Sequence, residues 1–220
     1  IQATIEDFRL AALAAKKAGF DGVEIHGANG YLPAQFLEDG SNKRQDQYGG
    51  SVENRARFLL EITDAAMSVW GPERVSVRLS PRNPFNGMSD SHPEETYLYV
   101  IEQLEARKLG ILHFMESPQL PEGVQALLPR ARAKFSGLIV INSGYTRPTA
   151  EAVLQSEKAD AVSFGTLFIS NPDLPERLAK NAPLAEADRA TFYGGDAKGY
   201  IDYPAPVSYT HLRAHETLRY

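Results

Sequence analysis

Cysteine is absent from this sequence of 220 residues. A chain without cysteine has no disulfide framework, and it offers no thiolate as a nucleophile or metal ligand. The absence does not select a compartment, so we take the cytoplasm as the default expectation.

Long apolar runs and an excess of positive charge are also missing. No apolar run reaches the length of about 18 residues that a membrane-spanning helix needs, and no signal-peptide pattern opens the chain. The formal net charge of −5 argues against nucleic acid or an anionic membrane as the main partner. We therefore expect a small-molecule partner, with no nucleic acid and no membrane, and leave monomer or homo-oligomer open. The chain begins at Ile1 rather than Met, which raises the possibility of a missing beginning.

What the sequence does contain is an alternation of short apolar strands and amphipathic helices. Such an alternation is typical of parallel β/α units. Five strands are predicted, at 22–26, 75–79, 111–115, 138–141 and 161–164. A closed barrel of these units needs eight strands, whereas an open doubly wound sheet can be built from five. No Gly-x-Gly-x-x-Gly follows any strand, which weakens the second alternative.

Caps and breakers predict where the helices begin. The segment Thr4-Ile-Glu-Asp7 has the pattern of a capping box, and Gly19 ends the helix that follows it. Ser51 is a suitable N-cap for the next helix, and Pro93 is a suitable first residue for a third. Further helices are predicted over about 122–134, 146–156 and 171–178.

Polar side chains are concentrated directly after the first predicted strand. His26, Asn29 and Tyr31 lie within six residues and are separated by Gly27 and Gly30. Each of the three can donate a hydrogen bond or move a proton, and the glycines permit a positive φ or the close approach of a ligand. A single histidine here is better explained as a satisfied residue at an ordinary turn, but three such groups favour the catalytic rim of a β/α barrel.

Arg78 lies in the middle of the second apolar strand. A buried charge is costly in a purely structural role unless it is paired, so the structural alternative is an ion pair with a neighbouring carboxylate. His113, Phe114 and Met115 on the third strand are expected to be core residues.

Several motifs together resemble the Old Yellow Enzyme family of FMN-dependent ene-reductases, and within it the bacterial N-ethylmaleimide, pentaerythritol tetranitrate and xenobiotic reductases. The resemblance covers residues 1–204, and its motifs are His26-Gly-Ala-Asn-Gly-Tyr31, the segment 41–55, Val77-Arg-Leu-Ser-Pro81, Phe164-Gly165, Asn171-Pro-Asp-Leu174 and Phe192-Tyr-Gly-Gly195. The family fold is a (β/α)8 TIM barrel in which the His-Gly-Ala-Asn strand is the fourth. The resemblance therefore implies an α/β fold, a partial barrel that holds about strands four to eight.

The same resemblance implies roles for the rim residues. His26 and Asn29 would donate hydrogen bonds to a carbonyl or nitro oxygen of the substrate, where negative charge develops during hydride transfer. Tyr31 would protonate the α-carbon as a general acid, with rim packing as its alternative. Arg78 would lie beside the flavin pyrimidine. Tyr193 matches a position that lines the substrate pocket, with a packed aromatic as its alternative.

The FMN phosphate would lie at the turns after the last two strands, by the same resemblance. Backbone N–H groups of Ser143, Gly144, Gly165 and Thr166 would bind it there. Many relatives have an arginine at the position of Thr166, which itself offers an amide and a hydroxyl but no charge. Arg147 could compensate, although a solvated position at a helix start is the favoured interpretation.

The implied function is the NAD(P)H-dependent reduction of activated C=C bonds in enones, maleimides or nitro compounds. Hydride would pass from NAD(P)H to FMN and from flavin N5 to the β-carbon. A rival is a β/α-barrel enzyme without flavin, which would need a catalytic lysine or a metal cluster at the strand ends; the sequence shows neither, and no metal is predicted. A second rival is a catalytically silent fragment, because five strands of an eight-stranded barrel leave two unpaired edges.

The domain boundary follows from the same pattern. Residues 1–204 are expected to form part of a flavin oxidoreductase barrel domain. The tail 205–220 does not continue the β/α pattern and resembles the translated read-through of a sequencing adapter, so it is excluded from the fold prediction. His211 and His215 lie in this tail without further metal ligands and are not interpreted as a site.

Overall fold

The computed structural model describes residues 1–194 and 196–205, so most of the predicted tail lies outside the described residues. The chain divides into two compact units, Ile1–Val162 and Ser163–Tyr220. The first unit contains a five-stranded parallel sheet whose strands are β1 (Val23–Gly27), β2 (Val75–Leu79), β3 (Ile111–Met115), β4 (Leu138–Asn142) and β5 (Ala161–Val162). Its helices are α1 (Gln2–Lys17), α2 (Leu32–Leu37), α3 (Val52–Trp70), α4 (Pro93–Ala106), α5 (Leu128–Lys134) and α6 (Arg147–Gln155).

The order of the strands decides between the two predicted architectures. Each strand pairs in parallel with the strands that precede and follow it in the sequence, in the order β1-β2-β3-β4-β5. A doubly wound sheet has a switch point at which the strand order reverses, whereas the strands of a β/α barrel are ordered sequentially. The sheet therefore has barrel topology, and the predicted partial barrel is confirmed.

The two faces of the sheet differ in polarity. On the face covered by helices, Ile25, Val77, Leu112 and Ile139 are at most 4% exposed. Because successive side chains of a strand alternate between faces, the opposite face carries the residues one position away. Phe114 is a core residue as predicted, whereas the core prediction is wrong for His113 and Met115, which lie partly exposed on the opposite face.

Two predicted helix starts are confirmed, and the predicted cap of the first helix is wrong. Ser51 is the N-cap of α3, and its side chain accepts a hydrogen bond from the backbone N–H of Asn54. Pro93 is the first residue of α4. The predicted capping box at Thr4 is wrong, because α1 begins at Gln2 and its first turn already contains Thr4.

Helix α5 begins later than predicted. The carboxylate of Glu116 accepts hydrogen bonds from the backbone N–H groups of Leu127 and Leu128, at 2.7 and 2.9 Å. An acidic side chain from the loop before the helix therefore fixes the start of α5 at Leu128. Because this partner is 11 residues away along the chain, the local pattern over 122–134 did not indicate it.

The second unit holds two short helices, α7 (Thr166–Ser170) and α8 (Leu174–Lys180), where a single helix over 171–178 was predicted. Asn171 separates them, and its side-chain amide donates to the backbone oxygens of Leu167 and Ala185. Arg177 is buried and donates to Asp173 at 2.7 Å and to the backbone oxygen of Pro204 at 2.7 Å. The motif that begins at Asn171 thus holds this unit together.

No helix within residues 1–194 and 196–205 combines the length and the apolar character needed to cross a membrane.

Candidate active site

The predicted rim residues lie at the carboxyl end of the sheet. His26 on β1 is in register with Arg78 on β2, and Arg78 is in register with His113 on β3. Adjacent strands of a sheet are about 4.8 Å apart, so these three side chains form a row on the face that the helices leave open. Sequence pattern alone placed His26 and Arg78 on separate strands; the register makes them neighbours.

Asn29 is held in a left-handed conformation, with φ of 57°, by the loop that follows β2. Its backbone N–H donates to Ser80 Oγ at 2.8 Å, and its backbone oxygen accepts from Asn86 Nδ2 at 2.9 Å. Its side-chain oxygen accepts from Asn83 Nδ2 at 2.7 Å. At Gly30, with φ of 71°, an added Cβ would lie 2.7 Å from Asn86 Cβ, so the close approach of this loop requires glycine.

Tyr31 occupies the N-cap position of α2 and contacts His26. The centroids of the two rings are 5.0 Å apart, with an interplanar angle of 47°. The tyrosine is 53% exposed. Its phenol is therefore accessible while its ring is fixed against the imidazole.

The side chain of Arg78 is only partly satisfied. Its Nη2 donates to Asn142 Oδ1 at 3.0 Å, whereas its Nε is buried and has no hydrogen-bond partner. Within the described residues no carboxylate forms an ion pair with this guanidinium, so the predicted alternative of a core ion pair is not what the structure shows. A buried donor without a partner is unusual and marks a place where an acceptor is missing.

The charge state of His26 follows from its surroundings. Burial lowers the pKa of His26, the positive charge of Arg78 lowers it further, and Glu24 opposes both. The net pKa is below the ordinary value of 6.5, so the imidazole is uncharged at neutral pH. A neutral imidazole retains one N–H group that can donate a hydrogen bond.

A known protein family matches most of the chain. Residues 1–185 match the model of the NADH:flavin oxidoreductase / NADH oxidase family. The chain belongs to this family. It is the family of the Old Yellow Enzymes, so the resemblance carried by the motifs is confirmed.

Individual relatives agree with the family match. The chain is 46% identical over 207 residues to "Putative 12-oxophytodienoate reductase 5" of Oryza sativa subsp. japonica, covering 91% of this chain and 55% of that protein. It is 44% identical over 197 residues to "Probable flavin mononucleotide-dependent alkene reductase" of Leishmania infantum, covering 90% and 54%. The solved structure of morphinone reductase in complex with tetrahydroNAD superposes with a TM-score of 0.87 at 49% identity, covering 93% of this chain and 55% of that one. The chain thus spans about half the length of these relatives.

Old Yellow Enzyme motifs outside the rim are structural here. Asp46 accepts from Arg44 and from the backbone N–H of Tyr48, and Tyr48 Oη donates to Glu61 at 2.9 Å. Arg55 donates to the backbone oxygen of Leu37. These contacts hold the long loop before α3.

The turn after β4 has an uncommon backbone conformation. Ser143 and Gly144 both have positive φ, 97° and 71°. For serine this conformation is strained, and such strain is characteristic of functional loops. Arg147, which could have added charge, instead donates to Glu151 on the surface of α6 at 2.7 Å.

The remaining predicted site residues belong to the second unit. Gly165 is the N-cap of α7, and Thr166 is its first residue. The side chain of Tyr193 is 96% exposed and contacts the ring of Phe192, so it is not the packed aromatic considered as its alternative. Their binding roles stay predictions.

Two features of the site were not foreseen. The carboxylate of Glu24 accepts from Ser76 Oγ at 2.8 Å and lies 3.1 Å from His113 Nδ1. Burial raises the pKa of Glu24, but His113, Ser76 and Arg78 together bring it below its usual value, so Glu24 is charged. The sequence could have indicated Glu24, because it lies two residues before His26 and both side chains are therefore on the same face of β1. The second feature is Asn83, which no local pattern in the sequence indicated.

Proposed function

We propose that the protein to which this chain contributes is an FMN-dependent NAD(P)H oxidoreductase that reduces activated C=C bonds in enones, maleimides or nitro compounds. Family membership supports the reaction class, and the activity is proposed for the whole protein because the chain spans about half of its relatives. The observation that carries the proposal is the cluster at the sheet rim. There the neutral imidazole of His26 contacts the phenol of Tyr31 and is in register with Arg78.

The residues present fit FMN. The buried Nε of Arg78 has no partner in the described chain, and the pyrimidine ring of a flavin offers the acceptor that it needs. Backbone N–H groups of a turn can bind a phosphate, and the turn at Ser143 and Gly144, both with positive φ, offers such groups. We assign the phosphate to this turn. When bound, FMN supplies the transfer of hydride from NAD(P)H to the β-carbon of the substrate.

The rim residues of this chain then polarise and protonate the substrate. His26 and Asn29 donate hydrogen bonds to its carbonyl or nitro oxygen, where negative charge accumulates. Tyr31 gives its phenolic proton to the α-carbon, and its exposure lets solvent restore that proton.

The proposed reaction determines which partners the protein needs. NAD(P)H and a small activated alkene are the partners that this proposal requires, and it requires neither nucleic acid nor a membrane surface. A cytoplasmic location stays a prediction.

The test is the double variant His26→Ala, Asn29→Ala in the whole protein. Flavin absorbance should be retained, because neither residue is assigned to FMN. The kcat/KM for 2-cyclohexenone should fall by about 10³-fold or more, since each lost donor to a developing oxyanion costs about 10²–10³-fold. Arg147→Gln, a surface change on α6, is the matched control and should retain wild-type kinetics. Unchanged enone reduction in the double variant, or a wild-type protein that binds no flavin, would contradict the proposal.

A further inference from the structure

The carboxamide of Asn29 has two ends with opposite hydrogen-bonding character. Its Nδ2 group only donates and its Oδ1 atom only accepts, and a rotation of 180° exchanges them at almost no change in shape. A site that must donate to a substrate oxygen therefore needs something that fixes which end faces the substrate.

Asn83 supplies the missing restraint through a chain of two hydrogen bonds. The backbone N–H of Phe85 donates to Asn83 Oδ1 at 3.1 Å. A backbone amide can only donate, so the oxygen of Asn83 must face it, and the Nδ2 of Asn83 must point the other way. That Nδ2 donates to Asn29 Oδ1 at 2.7 Å. The backbone amide of Phe85 therefore fixes the orientation of the Asn83 carboxamide, and Asn83 in turn fixes the orientation of the Asn29 carboxamide.

We propose that Asn83 is a positioning residue that locks the carboxamide of Asn29 with its Nδ2 available to the substrate. The inference rests on the proposed function, in which Asn29 donates to the substrate oxygen. The backbone of Asn29 is fixed independently, by Ser80 Oγ on its N–H and by Asn86 Nδ2 on its carbonyl oxygen. Asn83 is therefore the contact from this loop that sets the orientation of the side chain rather than of the backbone.

The lock has a consequence for specificity. With the acceptor end of Asn29 occupied by Asn83, the site presents donors alone at this position. It selects ligands that bring a bare acceptor oxygen, such as a ketone, an imide or a nitro group. Ligands that bring an N–H or O–H donor to the same place find no acceptor from Asn29.

The decisive variant is Asn83→Asp in the flavin-loaded whole protein. The carboxylate still accepts from the Phe85 N–H, but its second oxygen now faces Asn29 as an acceptor. Asn29 must turn its Nδ2 toward that oxygen and present Oδ1 to the ligand. The dissociation constant of cyclohexanone, a ketone without a C=C bond to reduce, should rise about 10- to 100-fold in a flavin absorbance titration. Asn83→Ala removes the lock without imposing the wrong orientation and should raise this constant only about 2- to 5-fold.

A double-mutant cycle separates this role from a merely structural one. In the Asn29→Ala background, Asn83→Asp and Asn83→Ala should each change the dissociation constant by less than about 2-fold, because their effect passes through Asn29. Ser89→Asp is the matched control: it adds the same charge to the same loop at an exposed position that takes no part in the contact between Asn83 and Asn29. It should change ketone binding less than about 3-fold.

Three results would overturn the inference: equal losses for Asn83→Asp and Asn83→Ala, an undiminished loss in the Asn29→Ala background, or wild-type ketone binding in Asn83→Asp. Retention of flavin absorbance and the melting temperature establish that each variant is folded. If Asn83→Asp does not fold, the Asn83→Ala arm of the cycle is decisive, and a loss of more than about 2-fold that persists without Asn29 rejects the lock. A failure of the proposed function is distinguishable, because the wild type itself would then bind no FMN or no ketone.

Discussion

Tyr31 is the accessible member of the rim cluster, and its proposed role is separable from binding. In Tyr31→Phe the ring that contacts His26 remains and only the hydroxyl is lost. We expect the dissociation constant of cyclohexanone to stay within about 3-fold of wild type, while turnover of 2-cyclohexenone falls about 10²-fold or more, as is usual when a general acid is removed. Stopped-flow reoxidation of the reduced flavin by the enone measures this step. Reduction by NAD(P)H in the same variant is the internal control and should be unaffected; wild-type reoxidation would exclude Tyr31 as the acid.

The rim residues show what local sequence could predict of the site. His26, Asn29 and Tyr31 stood out because three polar side chains follow one apolar strand within six residues. Asn83 lies 54 residues after Asn29, and Glu24 lies 89 residues before His113. No periodicity links residues so far apart, and only the strand register and loop packing bring them together.

At the scale of elements, a buried acid joins the end of α2 to α4. Glu38 is the C-cap of α2 and is 3% exposed, and Tyr97 on α4 donates to its carboxylate at 2.5 Å. Burial raises the pKa of Glu38 to about 7; the Tyr97 hydrogen bond opposes this, and Asp90 and Asp39 add to it. The packing of these elements therefore favours the protonated acid.

This junction predicts a pH dependence of stability. Because the folded pKa of about 7 is above the ordinary 4.5, the folded state binds the proton more tightly. The resulting stabilisation is fully present below pH 4.5 and is lost as the pH rises through 7, by about 3 kcal/mol. Urea unfolding of wild type between about pH 5 and pH 8 should show this loss, and Glu38→Gln should show a correspondingly flatter profile. The exposed Glu122→Gln should keep the wild-type profile; an identical slope in Glu38→Gln would refute the assignment.

Helices and strands could be predicted from the sequence where residues close together in the chain determine them. The strands are confirmed within one or two residues because runs such as Val75–Leu79 and Ile111–Met115 are apolar and short. The α2 helix was missed, since it is six residues long and its N-cap, Tyr31, forms no side-chain capping hydrogen bond. Its stability comes instead from packing, with Phe36 and Phe58 of α3 at a ring distance of 4.4 Å.

At the scale of the molecule, the sheet has an open face and, within the described residues, two free edges. Within the described residues β1 pairs only with β2, and Leu138 on the face opposite the helices is 55% exposed. We predict that residues 1–204 alone bind FMN weakly or not at all, because they span only about half the length of the flavin-dependent relatives, and that they self-associate through the free edges. Equilibrium dialysis with FMN and light scattering after size-exclusion chromatography test this. Stoichiometric FMN on a monomeric fragment would show the prediction to be wrong.

The sequential order of the strands has a consequence for how such a protein can be divided. Every strand pair in the sheet joins consecutive β/α units, so the sheet contains no strand that lies between partners distant in sequence. Within the described residues the outer edges of β1 and β5 keep backbone donors and acceptors that are spaced for incoming parallel strands. A separate polypeptide made of parallel β/α units can therefore dock against both edges without a covalent link. Two pieces of one barrel would in that way assemble without a continuous chain.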